Sequence, residues 1–321
     1  MKKKINVGII GRNFGYQVIY KALKNNKYFN VIGFSYKKKL PKLILPQKIK
    51  IYKNWRQLVS DRKIKAIFIS SPPYTHKEII NFSIKKNKHI FCEKPVTNSL
   101  KNITDICKEN ERKKLVNFVN YEFNHIEAFK IFEKKYFPKI KIKKVFVNWL
   151  IKVPNRARSN WKNSHKMGGG NFFNYICHIL FYLETFFGKI EICETKLKNL
   201  RNKFELRVKI LSEDKKTEID LNFKNIGQKS KLKPCHKIVF KSDKDNFTLF
   251  TKINNLFDQF VLYKNNRIIF RPKKIDYDFR LVPTYKNIVS FKKYIEQNKC
   301  GNPNFKDAKR IHFLINKIIN Y

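Results

Sequence analysis

The sequence predicts an α/β fold, with an N-terminal Rossmann-type parallel sheet followed by an α/β domain built on a largely antiparallel open mixed sheet. Three observations predict it. Continuous apolar runs alternate with amphipathic helices through the first 120 residues, as in strands buried on both faces and joined by crossover helices. The first of these runs stops at a glycine-bearing turn. From about residue 190, strand-like segments follow one another across short turns, which makes an antiparallel or mixed sheet. The chain is thereby divided into residues 1–120 and 121–321.

The elements follow in order. Ile5–Ile10 is a continuous apolar run that ends at Gly11. A helix spans about 15–25, with Val18, Ile19, Ala22 and Leu23 on one face. Short strands follow at 31–34 and 66–69, and the second runs into Ser70-Ser71-Pro72-Pro73. A helix over about 75–86 leads to a strand at 89–92, and a helix near 100–113 leads to a strand at 115–119. Beyond residue 120 come a helix near 127–136, a strand at 143–150, and the turn Gly168-Gly169-Gly170, which opens a helix reaching about Phe187. Strands are then expected at 190–197, 204–211, 217–223, 236–240, 248–251, 259–263 and 267–270. Asp214-Lys215-Lys216 and Asn265-Asn266 supply hairpin turns. Helices over about 285–297 and 306–319 finish the chain; Pro303 stands before the last, and Asn304 is its candidate cap.

Composition sets the classes to be weighed. The chain has 321 residues, 71 Lys+Arg against 24 Asp+Glu, and a formal net charge of +47. Such a charge raises nucleic acid or an anionic membrane as partner. Only 12 of the basic residues are Arg, Ala occurs five times, and Lys, Asn, Ile, Phe and Tyr abound. These residues share AT-rich codons, so a biased genome explains the charge, and lysines dot the whole chain as solvated faces require. A nucleic-acid partner is therefore not expected. With 42% hydrophobic and 15% aromatic residues there is ample core, which excludes wholesale disorder. No apolar run reaches about 18 residues, so no membrane span is expected. The apolar start is broken by Gly11-Arg12-Asn13 with no small-residue cleavage site, so a cytoplasmic location is expected. Six cysteines at 92, 107, 177, 193, 235 and 300 show no Cys-x-x-Cys spacing. They predict no metal site and fit a reducing compartment.

The first strand runs into Gly11-Arg12-Asn13-Phe14-Gly15, where a dinucleotide fold places its phosphate-binding turn. Asn13 stands where a second glycine is usual; it tolerates left-handed backbone better than most residues. The second strand ends Ser35-Tyr36-Lys37, without the acidic residue that would bind a ribose 2′-hydroxyl. Ser35 and Lys37 suit a 2′-phosphate instead, which favours NADP over NAD.

Two further motifs end predicted parallel strands: Ser70-Ser71-Pro72-Pro73-Tyr74-Thr75-His76 and Cys92-Glu93-Lys94-Pro95. Glu-Lys-Pro after a buried strand, with Pro-Pro-x-x-His at the preceding strand end, resembles the glucose–fructose oxidoreductase/inositol dehydrogenase (Gfo/Idh/MocA) family. The resemblance continues through 116–123, with Glu122 where the family has Arg. It takes in Trp161, Gly168–Gly170, Asn174 and His178, and ends with Pro303-Asn304-Phe305-Lys306-Asp307-Ala308. It covers essentially the whole chain, in order.

The resemblance implies an NAD(P)-dependent oxidoreductase that moves a hydride between nicotinamide and a secondary alcohol or ketone of a sugar, sugar nucleotide or related polyol. Residues 1–120 would be the dinucleotide-binding domain, and 121–321 the substrate-binding domain whose open sheet mediates homo-oligomerisation. The cofactor would rest on Gly11, Arg12, Asn13, Phe14, Gly15, Ser35, Lys37, Ser71, Pro72, His76, Glu93 and Lys94. Lys94 would bind the substrate hydroxyl, held in place by Glu93, and His178 would be the general acid/base. Asn174 would join Lys94 and His178 at the catalytic centre, orienting His178 or bonding a substrate hydroxyl, and Arg156, Arg158 and Trp161 would also bind substrate, with Asn148 on that side. One departure stands out. Asn174 occupies the place of a common Asp, one helical turn before His178, and cannot carry charge or pass on a proton. A dinucleotide-binding relative with impaired catalysis, serving as a sensor or assembly partner, is accordingly one alternative; a binder of nucleic acid or an anionic surface is the other.

Overall fold

Apolar β-branched and aromatic runs too short for helices pair into two sheets in the computed structural model, which describes residues 4–24, 26–36, 44–153, 160–200 and 203–321. The chain forms two compact units. The first comprises Met1–Glu122, Asn160–Asn174 and Arg280–Phe313; the second comprises Phe123–Ser159, Tyr175–Phe279 and Leu314–Tyr321.

In the first unit, strands β1 (Ile5–Ile10), β2 (Phe29–Ser35), β3 (Lys50–Ile51), β4 (Ala66–Ile69), β5 (His89–Glu93) and β6 (Asn117–Asn120) form one sheet in the order β3-β2-β1-β4-β5-β6. All five pairings are parallel. The order reverses direction between β1 and β4, which is where doubly wound sheets open a ligand crevice at the strands' carboxyl ends. The helix after β1 includes a π-helical turn over Gly15–Tyr20 and continues as α1 (Lys21–Lys24). The remaining crossovers are α2 (Trp55–Ser60), α3 (His76–Lys85) and α4 (Leu100–Lys113). β3 and α2 carry little periodic signal; α2 is announced only by Asn54, whose side chain accepts from Gln57 N at 3.0 Å.

Phe68, Phe91 and Phe118 stack across neighbouring strands at 4.8 and 5.5 Å. Phe291 packs against all three, from a helix described below.

The second unit holds α5 (Glu127–Ile131), continued by a π-helical turn over Phe132–Tyr136, then β7 (Lys144–Ile151) and α6 (Cys177–Phe187). Seven more strands follow: β8 (Ile190–Leu200), β9 (Lys203–Ser212), β10 (Glu218–Asn225), β11 (Cys235–Lys241), β12 (Asn246–Lys252), β13 (Val261–Lys264) and β14 (Arg267–Phe270). The sheet order is β14-β13-β12-β11-β7-β10-β9-β8. Only β7 and β10 pair in parallel, so the sheet is mixed and mostly antiparallel. Asn265 and Asn266 turn the β13–β14 hairpin with φ of 47° and 66°.

On β7, Val145, Val147, Trp149 and Ile151 are buried, while the alternate residues are half-exposed. Phe132, Phe186 and Tyr182 cover the buried face through Phe240 and His236. Asn148 belongs to the other face, where it accepts from Asn222 Nδ2 at 3.2 Å. That corrects its expected place on the substrate side. Period-2 alternation puts it opposite Trp149, and a one-residue offset along a strand reverses the face.

The chain ends with α7 (Leu281–Glu296) and α8 (Phe305–Ile319). α7 starts four residues earlier than expected because Pro283 is accommodated in its first turn, where no intrahelical N–H bond is lost. Phe291 lies on this helix. Asn304 caps α8: its Oδ1 accepts from Lys306 N, and its own N–H donates to Asp307 Oδ2, both at 2.7 Å. Among the described residues, no helix is long and apolar enough to cross a membrane.

Candidate active site

The site is built at the carboxyl ends of β1, β4 and β5. Gly11 leaves β1 with φ of +120°, and its N–H donates to the Ser35 carbonyl at 3.0 Å. A Cβ there would lie 2.6 Å from the Ser70 carbonyl, so only glycine lets the β1 and β4 ends close together. Asn13 already lies in the first helical turn, beside Phe14 at φ −63°. Its tolerance for left-handed backbone is therefore unused, and the left-handed position is Gly11. Arg12 is half-buried, and its carbonyl accepts from Tyr16 N at 2.7 Å. The first amides of a helix have no intrahelical acceptor, which is the feature that a phosphate site uses. Ser35 is buried. Lys37, Arg156 and Arg158 lie outside the described residues.

At the β4 end, Ser71 Oγ and Thr75 Oγ1 are 2.7 Å apart. His76 is fully buried; its Nε2 lies 2.7 Å from the Ser71 carbonyl, and its Nδ1 lies 3.2 Å from the Pro95 carbonyl and 3.5 Å from Cys92 Sγ. Burial pulls this imidazole down to about 4. It is a neutral strut joining two strand ends, with no surface left for a cofactor. That corrects its expected contact role: both ring nitrogens face atoms of the protein.

At the β5 end, Lys94 is half-buried, and its Nζ donates to the backbone carbonyl of Asn174 at 2.9 Å. Glu93 does not hold that ammonium. Its Oε1 accepts instead from Asn120 Nδ2 at 2.5 Å, and Asn120 is held in turn by Asn287 Nδ2 at 2.8 Å. Asn120 Nδ2 also lies 3.2 Å from Thr284 Oγ1. Burial, and then the neighbouring Glu122, push the Glu93 carboxyl well above its usual range, against the Asn120 bond and the charges of Lys94 and Arg280. Arg280 also sits over the Phe14 ring at 5.1 Å, so one side chain borders both the turn after β1 and the end of β5.

Three of these residues escaped sequence reading. Thr284 and Asn287 sit inside an apolar helical stripe, and Arg280 merely precedes it. Asn120 had one signal: a polar residue closing an apolar strand.

The segment from Trp161 to Asn174 completes the first unit's share. Gly169 has no room for a side chain, since a Cβ would meet the Trp161 carbonyl and the Lys162 backbone. Asn174 Nδ2 donates to the Lys162 carbonyl at 3.0 Å, and Asn98 Nδ2 to the Lys166 carbonyl at 2.9 Å. Thus Trp161, the glycine turn, Asn174, Lys94 and the two strand-end motifs come together within one unit. Asn174 lies in a π-helical turn, Phe172–Ile176, rather than in the regular helix expected.

His178 lies in the first turn of α6 in the second unit, buried, with its ring 4.9 Å from that of Phe123. Among the described residues, no three His, Cys, Asp or Glu side chains are grouped to hold a metal ion.

Residues 5–121 match the model of an oxidoreductase family with an NAD-binding Rossmann fold, GFO_IDH_MocA. That stretch is similar to the dinucleotide-binding domain of this family. Sequence relatives agree. An uncharacterized oxidoreductase from Synechocystis is 27% identical over 193 residues, 57% of this chain and 52% of that protein. The myo-inositol 2-dehydrogenase of Thermotoga maritima is 28% identical over 81 residues, 25% of this chain and 24% of that enzyme. The chain thus spans about half or less of the length of these curated relatives. Across both units, the fold is shared with KijD10, a 3-ketoreductase from Actinomadura kijaniata solved with NADP and TDP-benzene. The TM-score is 0.75 at 14% identity, covering 99% of this chain and 98% of that one. The match over residues 5–121 takes in the glycine turn, the parallel strands and the Glu93-Lys94-Pro95 strand end together.

Proposed function

We propose that the protein is an NAD(P)-dependent oxidoreductase acting on a secondary alcohol or ketone of a sugar, sugar nucleotide or related polyol. The observation that carries this reading is Lys94. It stands at the carboxyl end of a Rossmann strand, and its ammonium is aimed by a single backbone carbonyl. An ammonium has three N–H donors, so two remain to bind a substrate oxygen.

The residues that would hold a dinucleotide are the helix-start amides after Gly11, with Arg12 and Phe14 beside them, and the Ser71–Pro72 strand end. The glycine-only closure at Gly11 supports this fit. A bound nicotinamide would supply the hydride donor or acceptor. Lys94 orients the substrate oxygen and favours its anionic form. His178 accepts the hydroxyl proton or returns it. The lack of an acidic residue after β2 favours NADP. The name of the Thermotoga relative supports a polyol as substrate. The same reading puts the protein in the cytoplasm, as a homo-oligomer assembled through the face of the second sheet that carries Asn148.

Fluorescence titration with NADH and NADPH tests this, followed by turnover on a panel of sugars, sugar nucleotides and polyols. Binding of NADPH more tightly than NADH is expected. Failure to bind either cofactor would sink the reading.

A further inference from the structure

The second unit contains a cavity of about 660 Å³ that the functional reading above does not use. Its size falls within the range of small-molecule sites. Trp149 and Tyr175 form two walls nearly at right angles, with ring centroids 5.6 Å apart and planes at 85°. Trp149 is fixed from behind by His236, stacked at 4.1 Å and 9°. The Trp149 indole N–H is buried without a hydrogen-bond partner, which is costly unless something else supplies an acceptor.

Lys152, Gln228 and Asn254 supply the polar part of the lining, and none of the described lining residues is acidic. Lys152 Nζ donates once, to the Ser230 carbonyl at 2.7 Å, which anchors it and leaves two donors. Gln228 Nε2 donates to the Val153 carbonyl at 2.6 Å, so this side chain is also held in place. The cavity therefore offers apolar ring faces and an anchored cation, and its described lining carries no acidic residue to oppose an anion.

We infer that this cavity binds a sugar derivative bearing an anionic group, a phosphate or a carboxylate, with the sugar ring against Trp149 and Tyr175 and the anion on Lys152. The inference goes beyond the proposed function, and it rests on that reading only for the expectation that the ligand is a sugar. A pyranose presents C–H faces to aromatic rings and hydroxyls to amides. Its anion takes charge-assisted bonds from an ammonium, which are stronger than neutral ones.

The test is quenching of tryptophan fluorescence in the full chain, without cofactor, by D-glucose 6-phosphate, D-glucuronate and D-glucose. At least one anionic sugar is expected to quench, and to bind about tenfold more tightly than glucose. Lys152→Met should erase that preference while Lys152→Arg keeps it, and Trp149→Phe should abolish the quench. Whether the phosphate or the carboxylate binds better identifies the anion. Equal binding of all three sugars, no quenching by any, or an unchanged preference in Lys152→Met would overturn the inference. NADPH titration of the same samples keeps the two ideas apart. Sugar binding without NADPH binding would remove the oxidoreductase reading and leave the anionic site standing; the reverse would remove the site alone.

Discussion

The Lys94 ammonium donates to the main-chain carbonyl of Asn174 at 2.9 Å, across 80 residues of sequence. The bond uses the backbone of Asn174, so that side chain acts on the aim of Lys94 only through the path of the segment. What aims it is the path of the chain from Trp161 to Asn174, which Gly169 and the Asn174 amide hold together. The familiar Glu93 neighbour, by contrast, is turned inward to Asn120.

Replacing Lys94 should therefore separate binding from turnover. Lys94→Met is expected to lower kcat by about 10² to 10³, the usual cost of removing a donor aimed at a developing oxyanion. It should leave NADPH affinity within a few-fold. Stopped-flow or steady-state kinetics beside a cofactor titration provide the check. Loss of cofactor binding together with turnover would mean that Lys94 is structural.

Asn174→Asp separates an adapted site from a degraded one. Asn174 Nδ2 donates to the Lys162 carbonyl at 3.0 Å. An ionised Asp has no donor, so two oxygens would face each other and the segment would lose a tie. Turnover is expected to fall about tenfold, with a lower Tm; Asn174→Ala should cost less, since it introduces no repulsion. A rise in turnover in the Asp variant would mean that the wild-type site is impaired.

Gly169→Ala probes the same segment without touching charge. Its new methyl would strike the Trp161 carbonyl, and overpacking of this kind costs about 1–3 kcal/mol. Activity should drop while the parallel sheet, read by NADPH binding, stays intact. An alanine variant with wild-type kcat and Tm would show that the segment moves aside freely.

Much of this was legible in the sequence, for identifiable reasons. β1, β4 and β5 are buried on both faces, so their apolar runs mark them directly, and Gly11 and Glu93-Lys94-Pro95 mark where they end. α7 was legible as a helix but not as part of the first unit. Periodicity gives a helix an apolar face without saying which sheet it covers, and Phe291 finds Phe68, Phe91 and Phe118 only in three dimensions. The Glu93–Asn120–Asn287 chain was hidden for the same reason: its members are 27 and 167 residues apart. His76 was legible as important but misread in role, because a motif does not say whether an imidazole faces a ligand or two carbonyls.

Buried histidines give the protein a pH dependence whose sign can be worked out. Burial lowers His76 and His312 to about 4 and His236 to about 3. In the unfolded chain each titrates near its ordinary value of about 6.5. Between those values the unfolded chain binds more protons at these sites than the native one, so the histidines make stability rise with pH through this window; the raised Glu93 carboxyl works the other way, against all three. Urea midpoints should fall steadily as pH is lowered from 7 to 5. His312→Leu sharpens the test. His312 Nε2 is buried without a partner, and its ring lies 4.9 Å from that of Phe173. Removing it eliminates one titrating group and one unsatisfied atom together. The variant should be no less stable than wild type at pH 7, with a shallower decline toward pH 5. An unchanged slope would mean that His312 reaches water in the native protein.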